Sequence, residues 1–324
     1  MTDRSVSSSR PAASRIDPAG VPLAAVREAL ATVRDLLRWG VTRLSAAQVA
    51  LGQGTDQAFD EAAWLLLWSL RLPPQQLDAF LDARVLPHER DTFLEVLGRR
   101  CEDRLPAAYL TGEAWLQGLC FRADARALVP RSLIADLLAG DAADVLAAWL
   151  PADEHVHAVL DLCTGGGSLA VLAARRFAQA QVTASDVSRE ALALAADNVG
   201  LHGLHERIEL VESDLFAGLP GRVFDLILTN PPYVNAHSMR ALPPEFLAEP
   251  QAALAGGVDG MDLVRRIVAD APAHLAADGV LLIEIGHEAD HFEAAFADRE
   301  FAWLPVPAGE RMVALMTHEQ LARR

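Results

Sequence analysis

The chain has 324 residues, 52% of them apolar, enough for one large domain or two ordinary ones with cores of their own. A formal charge of −16 argues against a broad face for nucleic-acid phosphates and leaves a basic protein as a fitting partner. All 28 positive residues are Arg, so chemistry that needs a lysine Schiff base or a P-loop lysine is excluded.

Residues 1–20, rich in Ser, Arg, Ala and Pro, have almost nothing to bury and read as a disordered tail without the apolar core of a signal peptide. From Val21 the period is helical. Val26, Leu30, Val33, Leu36 and Leu37 share one face, and residues 62–70 make an apolar stripe in another helix. Breaks at Gly52-Gln53-Gly54, Pro73-Pro74 and Pro87 divide residues 21–104 into several short helices, a small helical domain. Residues 105–129 turn extended, and YLTGEAWLQGLCF reads as two short strands around Gly112 to Gly118, a β-hairpin linking two domains.

After Pro130 the pattern becomes strand, turn, helix, repeated to residue 324. HAVLDL (157–162) is a strand, Gly165-Gly166-Gly167 a turn and 168–177 a helix. A strand at 181–185 precedes a helix that Ser188 caps and that runs to about Val199. Strands follow at 208–211, 224–228 and 280–285, with a final pair at 301–306 and 312–316. The expected fold is α/β: a doubly wound, parallel, seven-stranded Rossmann-like sheet whose ligands sit beyond the carboxyl ends of the strands. No apolar run approaches the roughly 18 residues of a membrane span. Cys101, Cys120 and Cys163 lack Cys-x-x-Cys spacing, which indicates neither a disulfide scaffold nor a zinc cage and fits a cytoplasmic location.

Three strand ends suit a nucleoside. DLCTGGGSLA (161–170) closes the first with a glycine turn at a helix N-terminus, where a ligand meets bare backbone and free N–H groups. Asp186 ends the second, where a carboxylate reaches ribose hydroxyls, and at the third Asp214 can accept from an adenine amino group while Leu215 or Phe216 flanks the ring. The fourth ends in TNPPYVN (229–235). An amide or exocyclic amine is a poor nucleophile because its lone pair is delocalised. The Asn230 side-chain oxygen and the Pro231 carbonyl can hold such an NH2 and aim its lone pair at an electrophilic methyl. Two prolines fix φ and remove donors, and Tyr233 can lie against the planar group.

At this point the chain resembles S-adenosylmethionine-dependent methyltransferases with an Asn-Pro-Pro-Tyr motif. RWGVTRLSAAQVALGQGTDQAFDEA (38–62), RLPAAYLTGEAWLQGLCF (104–121), LVPRS (128–132), TNPPYVNAHSMRALPPEFLAEPQAALAGGVDG (229–260) and LLIEIG (281–286) narrow the likeness. They resemble the protein-(glutamine-N5) methyltransferases, in the branch acting on 50S ribosomal protein L-three, over nearly the whole chain after about residue 30. The sister branch, acting on release factors, has Pro-Arg-Pro-Glu-Thr-Glu where this chain has Pro130-Arg131-Ser132-Leu133-Ile134-Ala135.

The resemblance implies that the helical domain recognises substrate and that S-adenosylmethionine is the cofactor. Its implied contacts are Asp161, Cys163, Thr164, Gly165, Gly167, Asp186, Val187, Asp214, Leu215 and Asn230. Substrate would meet Asn230, Pro231, Pro232 and Tyr233, with Asn230, Pro231 and Tyr233 catalytic and no metal. The branch's Cys-Thr-Gly-Ser-Gly-Cys is here Cys163-Thr164-Gly165-Gly166-Gly167-Ser168, and its Pro and Glu are Leu133 and Asp136, leaving open whether Asp136 or Arg131 meets the cofactor.

Rival readings have weaker support. HEADH (287–291) satisfies His-Glu-x-x-His but follows a parallel-sheet strand rather than sitting in the helix a zinc peptidase needs. A DNA adenine or rRNA guanine methyltransferase would use the same Asn-Pro-Pro-aromatic element but wants a basic face. A nicotinamide enzyme, suggested by Gly165-x-Gly167-x-x-Ala170, leaves Asn230 to Tyr233 without a task.

Overall fold

The computed structural model describes residues 23–323, so the tail expected at 1–20 lies outside the described residues. The chain divides into two compact units, one ending at Thr111 and the other beginning at Gly112.

The first unit is helical: α1 (Leu23–Ala29), α2 (Val33–Ala47), α3 (Ala58–Leu70), α4 (Leu77–Phe80), α5 (Pro87–Glu102) and α6 (Ala107–Thr111). Thr32 and Asp35 form a reciprocal capping box that starts α2. Pro87 marks the expected break after α4 and begins α5 at its first position, where a missing N–H costs nothing. Leu36, Leu65, Leu66 and Phe93, all 0% exposed, make the centre of the core. Within it lies an ion pair: Arg100 Nε donates to Glu61 Oε1 at 2.8 Å, with side chains 1% and 3% exposed. The extended reading of residues 105–111 is corrected by α6. Pro106 starts a turn with its carbonyl accepting from the Tyr109 N–H at 3.0 Å, and Ala, Ala and Leu then favour helix over strand.

The second unit opens with β1 (Glu113–Leu116) and β2 (Leu119–Arg122), an antiparallel hairpin whose turn places Gln117 and Gly118 both at positive φ. After α7 (Ile134–Ala139) and α8 (Ala143–Ala147), the alternating part comprises β3 (Ala158–Leu162), α9 (Ser168–Arg176), β4 (Gln181–Asp186), α10 (Arg189–Leu201), β5 (Ile208–Glu212) and β6 (Phe224–Thr229). Then come α11 (Ala236–Arg240), α12 (Pro244–Leu247), α13 (Asp262–Asp270), β7 (Leu275–Glu284), α14 (Ala289–Ala295), β8 (Ala302–Val306), β9 (Gly309–Thr317) and α15 (His318–Ala322). The hairpin packs on α10 within this unit: Asn198 accepts from the Arg122 N–H at 2.7 Å and donates to the Arg122 carbonyl at 3.2 Å.

The seven-stranded sheet has the order β5-β4-β3-β6-β7-β9-β8. It is mixed rather than wholly parallel, because β9 runs antiparallel between β7 and β8. Alternate strand residues feed two cores: Val159, Leu226, Leu228 and Leu282 face α9, while Leu160, Ile227, Leu281 and Ile283 face α13 and α14. β7 starts five residues before its expected position because Asp278-Gly279 reads as a turn; an irregularity in its register with β6 between Phe224 and Leu226 absorbs that segment. Sequential order reverses at β3, which lies between β4 and β6, and a crevice opens there.

Replacing Glu61 by Ala leaves the Arg100 guanidinium buried without that carboxylate and is expected to cost about 3–5 kcal/mol. The measurement is the urea midpoint, and an unshifted midpoint would show that the pair carries none of the stability.

Candidate active site

The end of β3 sets the geometry. Asp161 is 1% exposed, and its Oδ2 accepts from the Thr164 hydroxyl at 2.5 Å and from the Ala170 N–H at 2.9 Å. Its Oδ1 is buried and has no hydrogen-bond partner among the described residues. Burial pushes this carboxyl up to about 7, against the pull of its two donors. The chain then turns sharply, with Cys163, Gly165 and Gly167 at φ of 61°, 54° and 80°. At Gly167 space is also tight: a Cβ would lie 3.1 Å from the Ala195 Cβ, so α10 packs closely onto the turn. Asn198, 0% exposed, donates from the same helix to the Gly166 carbonyl at 2.8 Å.

Asp186 ties the next strand end to this turn, its Oδ2 accepting from the Gly165 N–H and its Oδ1 from the Ser188 N–H, each at 2.9 Å. Burial raises its carboxyl pKa, against the pull of the backbone N–H groups it accepts from. Ser188 in turn caps α10 by accepting from the Ala191 N–H at 3.2 Å. Beyond β5, Leu215 sits at φ 50°, held by the Ser213 hydroxyl, which donates to its carbonyl at 2.5 Å. Asp214 is exposed and accepts twice from Arg266 of α13, at 3.0 and 2.9 Å.

These ends surround a cavity of about 220 Å³. Asp161, Cys163, Thr164, Gly165, Asp186, Val187, Asp214, Leu215, Asn230 and Pro232 line it. Gly167 does not: its bare Cα is used for packing on α10, and Gly166 and Ser168 face the space instead. Nor does Phe216, which stacks on His274 with centroids 4.6 Å apart, leaving Leu215 to flank a ring. The thiol of Cys163 is pushed up strongly by burial and by the Asp186 and Asp161 carboxylates, so it is packed rather than reactive.

At the end of β6, neither the Asn230 side chain nor the Pro231 carbonyl has a hydrogen-bond partner among the described residues. Pro231 and Tyr233 lie off the cavity. The half-buried Tyr233 donates its hydroxyl to Glu284 Oε1 at 3.3 Å, and burial, reinforced by that carboxylate, pushes the phenol up. The chain after it is fastened on both sides: Val234 exchanges backbone hydrogen bonds of 2.9 Å with Leu254 and Gly256, and Asn235 donates to Glu288 at 2.6 Å.

Three acids therefore support the site: Glu249 and Glu284, which the sequence does not single out, and Glu288, the glutamate of the His-Glu-x-x-His pattern. Glu249, 2% exposed, accepts from Arg131 Nη1 at 2.7 Å and from the Val129 N–H at 3.0 Å, so Arg131 forms a wall of the cavity through this pair. Asp136 is turned elsewhere, accepting from Gln117 at 2.6 Å. Glu288 also lies 2.6 Å from His291 Nδ1, so the His-Glu-x-x-His glutamate is committed to bracing Asn235. The available signal was an acid inside an apolar run, as in Leu282-Ile283-Glu284-Ile285, which points to a buried, partnered carboxylate.

The family model "Methyltransferase small domain" matches residues 139–258, and "PrmC N-terminal domain" matches residues 35–112. Three curated relatives bear the name ribosomal protein uL3 glutamine methyltransferase. The one from Bordetella pertussis is 56% identical, over 91% of this chain and 98% of its own length. Those from Burkholderia pseudomallei and Neisseria gonorrhoeae are 50% and 47% identical, each over 90% of this chain and over 95% and 96% of their own lengths. The chain belongs to the ribosomal protein uL3 glutamine methyltransferase family.

It is thus a methyltransferase whose cofactor is S-adenosylmethionine. The cavity fits that cofactor: a buried carboxylate oxygen lacking any donor, Asp161 Oδ1, suits its ammonium group, and an exposed apolar residue at the rim, Val187, suits a base. Among the described residues no helix is long and apolar enough to cross a membrane.

The Asp161 carboxyl binds a proton more tightly folded, at about 7, than at its ordinary 3.8, so its contribution to stability falls as pH rises through that interval. Asp161→Asn removes this loss. The urea midpoint of the cofactor-free protein should drop relative to the variant between pH 4 and pH 7, whereas a constant difference would show that the carboxyl titrates normally.

Proposed function

We propose that this enzyme transfers a methyl group from S-adenosylmethionine to the side-chain amide nitrogen of a glutamine in ribosomal protein uL3. The relatives' shared name supports the substrate. The observation that carries the chemistry is the pair of free acceptors at the end of β6, the Asn230 side-chain oxygen and the Pro231 carbonyl. An amide NH2 has two N–H donors, and two fixed acceptors hold it with its nitrogen facing one direction. When bound, the cofactor supplies a sulfonium methyl open to in-line attack.

The chain's own residues have distinct tasks. Asp161 Oδ1 accepts from the cofactor's ammonium group, and Thr164 and Ala170 keep that carboxylate oriented through its other oxygen. Gly165 and Thr164 bring backbone close to the ligand. Asp186 has one N–H on each oxygen and a further lone pair on each, which ribose hydroxyls can use. Val187 and Leu215 flank the base, and Asp214 accepts its amino group once Arg266 yields. Pro232 completes the wall beside Asn230. The net charge of −16 favours a basic ribosomal protein approaching free of rRNA.

The test is incubation with labelled S-adenosylmethionine and, separately, uL3, release factors, rRNA and DNA. Label is expected on uL3; label on a release factor or nucleic acid alone would overturn the assignment. Asn230→Ala should abolish transfer to uL3 while calorimetry finds cofactor affinity nearly unchanged, and retained turnover would mean that the amide is held elsewhere.

A further inference from the structure

Glu284 stands at the carboxyl end of β7, directly after Leu281, Leu282 and Ile283, each 0% exposed, and is itself 4% exposed. An acid at that depth is costly unless donors fill it, and an apolar residue would occupy the place without that cost. Three donors converge on it. The Ser132 hydroxyl, at 2.5 Å, and the Leu133 N–H, at 2.9 Å, reach Oε2, while the Tyr233 hydroxyl reaches Oε1 at 3.3 Å. Ser132 belongs to the wall of the cofactor cavity, and Tyr233 belongs to the segment that offers the two free acceptors. Gly286, two residues on, has φ +56°, and a Cβ there would lie 2.8 Å from the Tyr233 Cε2, so the ring rests on bare backbone.

We propose that Glu284 is a positioning residue for methyl transfer: one oxygen holds the cofactor wall, the other holds the Tyr233 ring, and the two are fixed relative to each other. The ring has few ways to move, since Gly286 blocks one side and the hydroxyl is tethered. It thereby sets the plane in which the substrate amide lies between Asn230, Pro231 and the methyl group. This inference rests on the glutamine reading above. A carboxylate that merely stabilised the fold would not need its Tyr233 bond for turnover.

The experiment compares wild type, Tyr233→Phe, Glu284→Ala and the double variant, measuring kcat and KM on uL3, cofactor Kd by calorimetry, and melting temperature. Tyr233→Phe keeps the ring and loses only the tether; it is expected to lower kcat about tenfold, with cofactor Kd and melting temperature nearly unchanged. Glu284→Ala should lose at least as much kcat, and the double variant no more than Glu284→Ala alone, because both remove one interaction. Wild-type kcat in Tyr233→Phe overturns the proposal, and so do losses that simply add; the first reading stands even where Glu284→Ala fails to fold. If wild type labels a release factor and not uL3, the substrate assignment fails, and the Tyr233→Phe comparison is read on the labelled protein.

Discussion

Parallel pairing governs this molecule. Because β3, β4, β5, β6 and β7 run in the same direction, their carboxyl ends must all emerge along one edge of the sheet. That edge gathers Asp161, Asp186, Asp214, Asn230 and Glu284, residues far apart in the chain, within reach of one cleft or its supports. The reversal of strand order at β3 keeps the cleft from being covered by a connection. A consequence is crowding of acids. It is relieved chiefly by N–H and O–H donors: Asp161, Asp186 and Glu284 receive backbone amides and hydroxyls, and only Asp214, out in solvent, takes an arginine. Donors of that kind leave lone pairs on Asp161 and Asp186 available to a ligand, while Arg131 in the cavity wall is engaged by Glu249.

The parts of the fold visible in the sequence are those determined by neighbours along the chain. Runs such as HAVLDL and FDLIL are short, β-branched or leucine-rich and bounded by turn residues, and they became β3 and β6 within a residue of their expected limits. The Ser188 cap was likewise local. In residues 105–111 Tyr109 and Thr111 suit a strand, but Ala107, Ala108 and Leu110 favour helix, and Ala107 and Leu110 pack in the core of the first unit as part of α6. The position of β9 between β7 and β8 is also a long-range outcome, since an antiparallel insertion leaves no mark in the strand's own residues.

The same division holds at the site. The glycine turn, Asp186 and Asn230 were readable because each stands at the end of a recognisable strand. At Gly167 a glycine that a ligand needs and one that a helix needs look alike in sequence, and the close approach of Ala195 accounts for this one by packing. Phe216 followed a strand end as Leu215 did, but His274 claimed its ring from the far side. Glu284 and Glu249 depend on partners 152 and 118 residues away; at that separation the sequence offers a sign only for Glu284, an acid among aliphatic neighbours.

Asn198 has a consequence for how this sequence can drift. Its amide accepts from the Arg122 N–H and donates to the carbonyls of Arg122 and Gly166, so the hairpin, α10 and the glycine turn share one knot. Aspartate has the acceptor but no donor, glutamine has both one carbon too far out, and serine reaches neither edge of the hairpin. The position is therefore closed to change by the directionality of three bonds, although its side chain lines no part of the cavity, and its tolerance profile would resemble that of a catalytic residue.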